Sequence, residues 1–193
     1  MSTQEQQVVD LLKAIETGAA GPVAVINPEH YRQHNLGAAD GLAGFGALLA
    51  ALPPNSAKVN TVRVFEDGDY VFAHTEYEFF GPRIGFDIFR FEHGKIVEHW
   101  DNLQETPASA NPSGNTMIDG ATSATDIDKT EANKVLGEGN FVLVVSEGSF
   151  GGKPTAFYDL FRVENGKIAE HWDTLETIPP QGEWKNQNGK FGF

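Results

Sequence analysis

The fold is decided by residues 86–103, which read FDIFRFEHGKIVEHWDNL. Apolar and polar side chains alternate in both halves of this stretch, and a turn signal at residues 92–94 separates the halves, which predicts a β-hairpin. Side chains alternate between the two faces of a strand, so His99 and Asp101 share one face of the second strand. Whether Asp87 of the first strand faces them depends on the turn.

Two hairpin turns are compatible with these residues. A three-residue loop with Gly94 in the left-handed conformation sets Asp87 opposite His99, with Asp101 diagonal to both. A two-residue loop would instead pair Asp87 with Trp100. We favour the first, because glycine at this position is what a G1 bulge requires. The sequence then predicts two carboxylates and an imidazole on one face, unless these are solvated polar residues of an open sheet.

The same stretch occurs a second time in the chain. Residues 158–175 read YDLFRVENGKIAEHWDTL, and twelve of these eighteen positions are identical to those of residues 86–103. A repeat of this length and identity indicates an internal duplication.

The two copies are unequal in length. Residues 1–60 precede the strands of the first copy, but only residues 122–134 can play that part in the second. We therefore predict a complete domain over residues 1–120 and a partial repeat over residues 121–193 that lacks most of its helical layer. Because a sheet must bury its apolar face, the repeat must pack on the first domain, pair with another chain or be poorly ordered. The abrupt join at residues 133–136 favours an internal deletion over completion by a partner chain or a purely structural role.

The complete copy has helices first and strands afterwards. Apolar spacing predicts a helix over residues 4–15, with Ser2/Thr3 as caps and Gly18 as the stop. A second helix begins at a cap on Asp40 and ends at residues 53–54. Strands are predicted at residues 58–65, 69–80, 83–91 and 95–103. This order indicates an α+β fold with an antiparallel meander.

Charge and composition exclude several classes of function. The chain has 193 residues, a formal net charge of -13 and no cysteine. Nucleic acids and anionic membranes bind clustered Lys and Arg, so we expect neither as a partner. The lack of cysteine excludes disulfides, thiolate chemistry and Cys-ligated zinc. Residues 1–13 show no signal-peptide pattern, and we expect a cytoplasmic protein.

Three segments carry a family resemblance. Residues 31–35 read YRQHN and are followed by Gly37 and by Asp40-Gly41, residues 87–101 read DIFRFEHGKIVEHWD, and residues 111–117 read NPSGNTM. In this order they resemble the SnoaL-like polyketide cyclase family of the nuclear-transport-factor-2-like superfamily. The resemblance spans residues 4–117. It implies a strongly bent antiparallel sheet wrapped around N-terminal helices to form a cone-shaped cavity.

The resemblance also implies catalytic residues. In the cyclases, a carboxylate on the last strand takes a proton from carbon, and Asp101 matches that position. Asp87 matches a second cavity position, where the cyclase has a histidine, so the identical reaction is in doubt. His34 would enter the cavity from the helical side, and His34 or His99 could donate a hydrogen bond to an enolate oxygen. Neighbouring buried carboxylates raise each other's pKa towards the range that a base needs.

Two classes of function remain open at this point. One is a cofactor-independent cyclase, isomerase or dehydratase that acts on a small apolar carbonyl compound, with Tyr31, Asn35 and Phe89 as substrate-binding residues. The other is a ligand-binding or dimerisation module without chemistry, since this fold serves both. The histidines lack the regular spacing of a dedicated metal site, and we expect neither a metal nor a cofactor. A homodimer is expected, with Trp100 and Trp172 on a packing or dimer surface.

Overall fold

The computed structural model describes residues 1–53, 56–124 and 136–192. The helices are α1 (Thr3–Thr17), α2 (Ala20–Val23) and α3 (Gly41–Ala51), with a 3-10 turn at Gln181–Glu183. The first sheet contains β1 (Arg32–Gln33), β2 (Lys58–Asp67), β3 (Tyr70–Glu78), β4 (Pro82–Glu92) and β5 (Lys95–Glu105). The second contains β6 (Leu136–Glu138), β7 (Phe141–Phe150), β8 (Lys153–Glu164) and β9 (Lys167–Thr177). The predicted α+β class is confirmed.

The ends of α1 follow the sequence signals. Ser2 and Glu5 form a capping box at its start, and Gly18 ends it with φ of 68° in the left-handed region. Asp40 occupies the cap position of α3, but its side chain makes no capping hydrogen bond. Its Oδ1 instead accepts the backbone N–H of Gln33 at 2.8 Å. Asp40 is therefore the N-cap residue by position, as predicted, but its side chain connects the segment around β1 to the start of α3 instead of capping the helix.

The first sheet has the order β1-β5-β4-β3-β2. Strands β2 to β5 form the predicted antiparallel meander, whereas β1 pairs in parallel with β5, Gln33 lying opposite His99. Helices α1 and α3 cover the inner face of this sheet through an apolar core that includes Val8, Leu11, Leu12, Phe45, Val71, Phe89 and Phe91.

The register of the β4–β5 hairpin differs from the predicted one. The turn has two residues, His93 and Gly94, both with positive φ (51° and 74°), as in a type I′ turn. The extra residue lies within β5 instead, between the pairs Arg90–Glu98 and Phe91–Ile96. This bulge sets Asp87 opposite Asp101, not opposite His99. The two-residue turn and the bulge each shift the pairing by one residue from the predicted register, so the total shift is two and the three side chains still share a face.

The second sheet repeats this hairpin 72 residues later in the chain. Asp159 lies opposite Asp173, and Phe161 lies opposite His171, as do Asp87 and Asp101 and their neighbours in the first copy. The register shift after Arg162 matches the one after Arg90. The duplication seen in the sequence is therefore a duplication of structure as well.

The second sheet packs face to face on the outer face of the first. An apolar cluster fills the space between them, formed by Phe65, Phe72, Ile84, Phe86, Ile88, Trp100, Phe141, Leu143, Ala156, Tyr158, Leu160 and Trp172. For the residues that the structure describes, the first of the three predicted alternatives is correct, because the repeat packs on the first domain. Trp100 and Trp172 lie in this intrachain interface.

Part of the predicted second copy cannot be compared with the structure. Residues 125–135 lie outside the described residues, and they include most of the short front at 122–134 and nearly all of the join at 133–136. The deletion therefore stays a prediction. Within the described ranges, no helix has the length and apolar character needed to cross a membrane.

A buried histidine predicts how stability depends on pH. His74 is fully buried, and its Nδ1 accepts a hydrogen bond from Nη1 of Arg63 at 3.0 Å. Burial, and then the Arg63 charge, lower the pKa of His74 to about 3. In the unfolded chain this pKa is about 6.5, so between those two values the unfolded state binds a proton that the folded state does not. Stability falls as the pH drops below about 6.5, by about 2 kcal/mol from this group between pH 7 and 5.

The variant His74→Gln removes the titrating group and keeps an acceptor for Arg63. We expect its free energy of unfolding, from chemical denaturation at pH 7 and 5, to fall by about 2 kcal/mol less than that of the wild type. His93→Gln, at a side chain that is 93% exposed, should behave like the wild type. An unchanged pH dependence in His74→Gln would contradict the assignment.

Candidate active site

A cavity of about 440 Å³ lies between the helices and the inner face of the first sheet. Most of its wall is apolar and comes from α1, α3 and the sheet, including Leu11, Leu12, Ile15, Phe45, Leu48, Phe79, Phe89 and Leu103. Its polar lining includes Tyr31, Gln33, Asn35, Asp87, His99 and Asp101. An apolar cavity of this size with a few convergent polar groups is typical of a small-molecule site.

A second cavity of similar size, about 430 Å³, lies under residues 106–118 and beside His171 and Asp173 of the second copy. The residues that line this second cavity come from no helix, and they do not include Asp87, His99 or Asp101. We therefore take the first cavity as the candidate site.

Three ionisable side chains converge on one wall of that cavity. One ligand atom each from Asp87, His99 and Asp101 lies within 4.8 Å of the others, and all three residues are buried. The pleat and the bulge in β5 cause this convergence, since they set Asp87 directly across from Asp101 and leave His99 two residues away on the same face. Among the described residues these three could hold a metal ion, whereas the resemblance implies chemistry without one.

The protonation of His99 follows from its neighbours. Oε1 of Gln33 accepts the backbone N–H of Asn35 at 2.9 Å, which fixes the oxygen of that amide. The same oxygen lies 3.0 Å from Nδ1 of His99, so Nδ1 must donate. His99 Nε2 and Asp87 Oδ1, 3.1 Å apart, then share one proton that belongs either to the imidazole or to the carboxyl group.

The Asp87–His99 pair is fully engaged with its surroundings. The hydroxyl of Tyr77 donates to Oδ2 of Asp87 at 2.9 Å. Burial and the adjacent Asp87 carboxylate raise the pKa of Tyr77 well above its usual value, so this hydroxyl keeps its proton. The His99 ring also stacks on Phe89, with ring centroids 4.5 Å apart. Both ring nitrogens of His99 and both oxygens of Asp87 therefore have partners within the protein.

The carboxylate of Asp101 has fewer hydrogen-bond partners within the protein than that of Asp87. Its Oδ2 accepts from Nδ2 of Asn35 at 2.5 Å. Its buried Oδ1 has no hydrogen-bond partner among the described residues, and the nearest cation, Nζ of Lys190, is 3.7 Å away. Asp101 is the cavity carboxylate with unused capacity to accept a proton.

Tyr31 supplies a hydroxyl to the same cavity. Nε2 of Gln33 donates to this hydroxyl oxygen at 3.3 Å. Burial, and then the charges of Asp101 and Asp87, raise the pKa of Tyr31, so that the group stays protonated. No described side chain accepts its proton, which leaves a donor for a ligand.

His34 lies on the other side of the sheet, and its expected place in the cavity is wrong. Residues alternate along β1, so Gln33 faces the cavity and His34 faces away from it. His34 is 1% exposed, bonds Oε1 of Glu98 at 2.9 Å through Nε2, and stacks on Trp100 at 4.7 Å between ring centroids. Burial alone would raise the pKa of Glu98, but hydrogen bonds from His34 and Arg90 outweigh it and lower that pKa. His34 is a packing residue of the interface between the sheets.

The other expected residues lie at the cavity, and two more join them. Tyr31, Asn35 and Phe89 line it together with Asp87, His99 and Asp101. Gln33 was missed, although period-two alternation through residues 31–35 could have identified it. Tyr77 was also missed, because an aromatic residue in a strand is usually core, and only the observed register brings its hydroxyl to Asp87.

Comparisons with known proteins agree with the resemblance. Residues 9–99 match the sequence model of the SnoaL-like domain family, a stretch that ends two residues before Asp101. TsrD from Streptomyces laurentii is 20% identical, with 54% of this chain and 91% of that chain covered and a TM-score of 0.44. An NTF2-like protein of unknown function from Cytophaga hutchinsonii is 14% identical, with 54% and 92% covered and a TM-score of 0.45. IdmH, a proposed polyketide cyclase from Streptomyces antibioticus, is 17% identical, with 53% and 93% covered and a TM-score of 0.45. A search of curated protein sequences gives no match. Residues 9–99 of this chain are therefore similar to the SnoaL-like domain family.

Proposed function

We propose that this protein is an enzyme that moves a proton at a carbon atom next to a carbonyl group, on a small and largely apolar substrate. The observation that carries this proposal is the convergence of Asp87, His99 and Asp101 on one wall of a largely apolar cavity. The reaction class is that of a cofactor-independent cyclase, isomerase or dehydratase.

Asp101 acts as the base in this proposal. Its carboxylate takes the proton from the α carbon, and the electron pair of the broken C–H bond forms the carbon–carbon double bond of an enolate. The former carbonyl oxygen gains negative charge and accepts a hydrogen bond from the hydroxyl of Tyr31. In an isomerase, the proton then returns from Asp101 to another carbon. In a cyclase, the enolate carbon attacks a second carbonyl carbon, the π electrons of that carbonyl move to its oxygen, and the resulting alkoxide takes the proton from Asp101. A donor placed where charge develops stabilises the transition state most effectively.

The Asp87–His99 pair positions these groups. Because both nitrogens of His99 are already bonded, the donor role that the sequence suggested for His99 passes to Tyr31. His99 holds the amide of Gln33, and Gln33 in turn holds the hydroxyl of Tyr31 and the backbone of Asn35. Such a network of locked side chains keeps reactive groups in place.

A non-catalytic ligand-binding role is the second candidate. It is favoured by the saturation of Asp87 and His99 and by the ammonium group of Lys190 near Asp101. In that case the same cavity binds an apolar ligand, and its polar groups only orient that ligand.

Deuterium exchange tests the first candidate against the second. Small cyclic and open-chain ketones are incubated with the protein in D₂O, and exchange of the α hydrogens is followed by NMR. We expect exchange above the buffer rate, and we expect Tyr31→Phe to lower it by about 10²–10³-fold, the usual cost of losing one oxyanion donor.

The matched control is Tyr70→Phe, since Tyr70 packs in the cluster between the two sheets and not at the cavity. This variant should exchange at the wild-type rate. Ketones that bind without any exchange above buffer would favour the non-catalytic role, and equal losses in both variants would contradict the role of Tyr31.

The other expected properties belong to the same proposal. They are a homodimer, a cytoplasmic location and the absence of nucleic-acid partners. Sedimentation of the purified protein would test the homodimer directly.

A further inference from the structure

We infer that Lys190, a residue of the second copy, is a positioning residue for the first copy's site, where its buried ammonium group pairs with the Asp101 carboxylate. The inference rests on the proposed function insofar as Asp101 is the base. It also gives the partial repeat a role beyond packing, because the site is incomplete without it.

The C-terminal segment, residues 185–192, runs back across the first domain. The backbone N–H of Lys185 donates to the carbonyl of Leu36 at 3.0 Å. Nδ2 of Asn186 donates to the carbonyl of Asn35 at 2.8 Å, and Nδ2 of Asn188 donates to that of Gln33 at 2.8 Å. The segment is thus anchored on the two residues that hold His99 and Asp101.

These hydrogen bonds hold the segment so that the side chain of Lys190 lies in a buried position. Lys190 is 4% exposed, and its Nζ lies 2.8 Å from Oε2 of Glu176 and 3.7 Å from Oδ1 of Asp101. Oε2 of Glu176 also accepts the backbone N–H of Leu103 at 2.8 Å. A buried ammonium group persists only when it is paired, so one cation serves two carboxylates, one from each copy.

The charges around Asp101 make this cation important. Three ionisable groups lie near Asp101. Asp87 faces Asp101 across the sheet, Tyr31 precedes β1, and Glu176 comes from the second copy. Burial raises the pKa of Glu176, Lys190 opposes that effect, and Asp101 adds to it. Among the described neighbours, His99 shares its proton with Asp87, which leaves Lys190 as the full positive charge closest to Asp101. Without it, the carboxylates of Asp101 and Glu176 would lie near each other with no cation between them.

A segment of the first copy likewise packs against the second copy. Residues 111–118 of the first copy lie beside His171 and Asp173 of the second. The indole N–H of Trp172 donates to the carbonyl of Asp119 at 2.8 Å. Each copy therefore closes part of the other, and the contact made by Lys190 belongs to this reciprocal arrangement.

Carbon-13 NMR of the aspartate side-chain carboxyl groups tests the inference without any substrate. The Asp101 signal is assigned by its loss in Asp101→Asn. We expect its titration midpoint to rise by about one pH unit or more in Lys190→Met, and to stay within about half a unit of wild type in Lys190→Arg. Lys153→Met, at an exposed lysine of β8, should leave the midpoint unchanged.

A second variant guards against a folding defect in Lys190→Met. Glu176→Gln removes the carboxylate that competes for the cation, so the midpoint of Asp101 should fall. A midpoint that moves in neither folded variant would overturn the inference. Midpoints that shift as expected, in a protein that exchanges no ketone hydrogens, would support the Lys190 contact and reject the proposed function.

Discussion

We expect replacement of Asp101 by asparagine to lower the rate of α-hydrogen exchange by about 10²–10⁴-fold, the usual contribution of a general base. Asparagine has the shape of aspartate but cannot take a proton at neutral pH. Its side-chain oxygen can still accept from Nδ2 of Asn35, so the cavity keeps its form. We therefore expect the loss in the rate of exchange, with ketone affinity close to that of the wild type.

The chain contains its own matched control for this change. Asp173 occupies the position of Asp101 in the second copy, opposite Asp159 and near His171. It does not line the candidate cavity. Asp173→Asn should exchange ketone hydrogens at the wild-type rate. Equal rates in Asp101→Asn and the wild type would remove Asp101 from the mechanism, and equal losses in both asparagine variants would point to a general effect on folding.

The sequence was sufficient to predict which side chains share a face. Alternation along β4 and β5 placed Asp87, His99 and Asp101 together, and every register that differs by an even number of residues keeps that result. It could not predict which residues lie directly opposite each other. The turn at His93 and Gly94 and the bulge within β5 each shift the pairing by one residue. The bulge contains no glycine, so the sequence gives no signal for its position.

His34 shows a second limit of the sequence. A histidine in a short polar segment indicates a functional group, but its direction depends on β1, which has two residues and pairs in parallel with a strand far along the chain. Such a strand is too short for a periodic pattern. The position of Lys190 was beyond prediction for a similar reason, because only tertiary contacts bring residues 185–192 back to the first domain. The division at residues 120 and 121 stays a prediction.

We expect replacement of Arg63 by methionine to lower the free energy of unfolding by about 3–5 kcal/mol, because several hydrogen-bond acceptors lose their donor at once. Arg63 is 1% exposed. Its guanidinium donates to the backbone carbonyls of Ala121, Ile118 and Asp119, and it lies 4.1 Å from the ring centroid of Trp172. Burial lowers the pKa of Arg63 to about 10, so the group remains charged at neutral pH.

The size of this loss reflects where Arg63 lies. Strand β2 belongs to the first sheet, the three carbonyls belong to the segment after β5, and Trp172 belongs to the second sheet, so one side chain joins three parts of the chain. Methionine fills a similar volume but leaves three partly buried carbonyl groups and the buried Nδ1 of His74 without their donor. A fully buried group left unsatisfied costs about 1–3 kcal/mol, and a partly buried one costs less. Arg32→Met is the control, because the Arg32 side chain is 59% exposed and Glu98, its partner at 3.1 Å, keeps His34 and Arg90 as partners when Arg32 is removed. Denaturation curves of the two variants measure their free energies of unfolding and test the role assigned to Arg63. A single cooperative transition with a large loss in Arg63→Met would mean that the two copies unfold as one unit. Two separate transitions would mean that Arg63 holds together copies that are stable independently, and a loss no greater than that of Arg32→Met would contradict the role assigned to this residue.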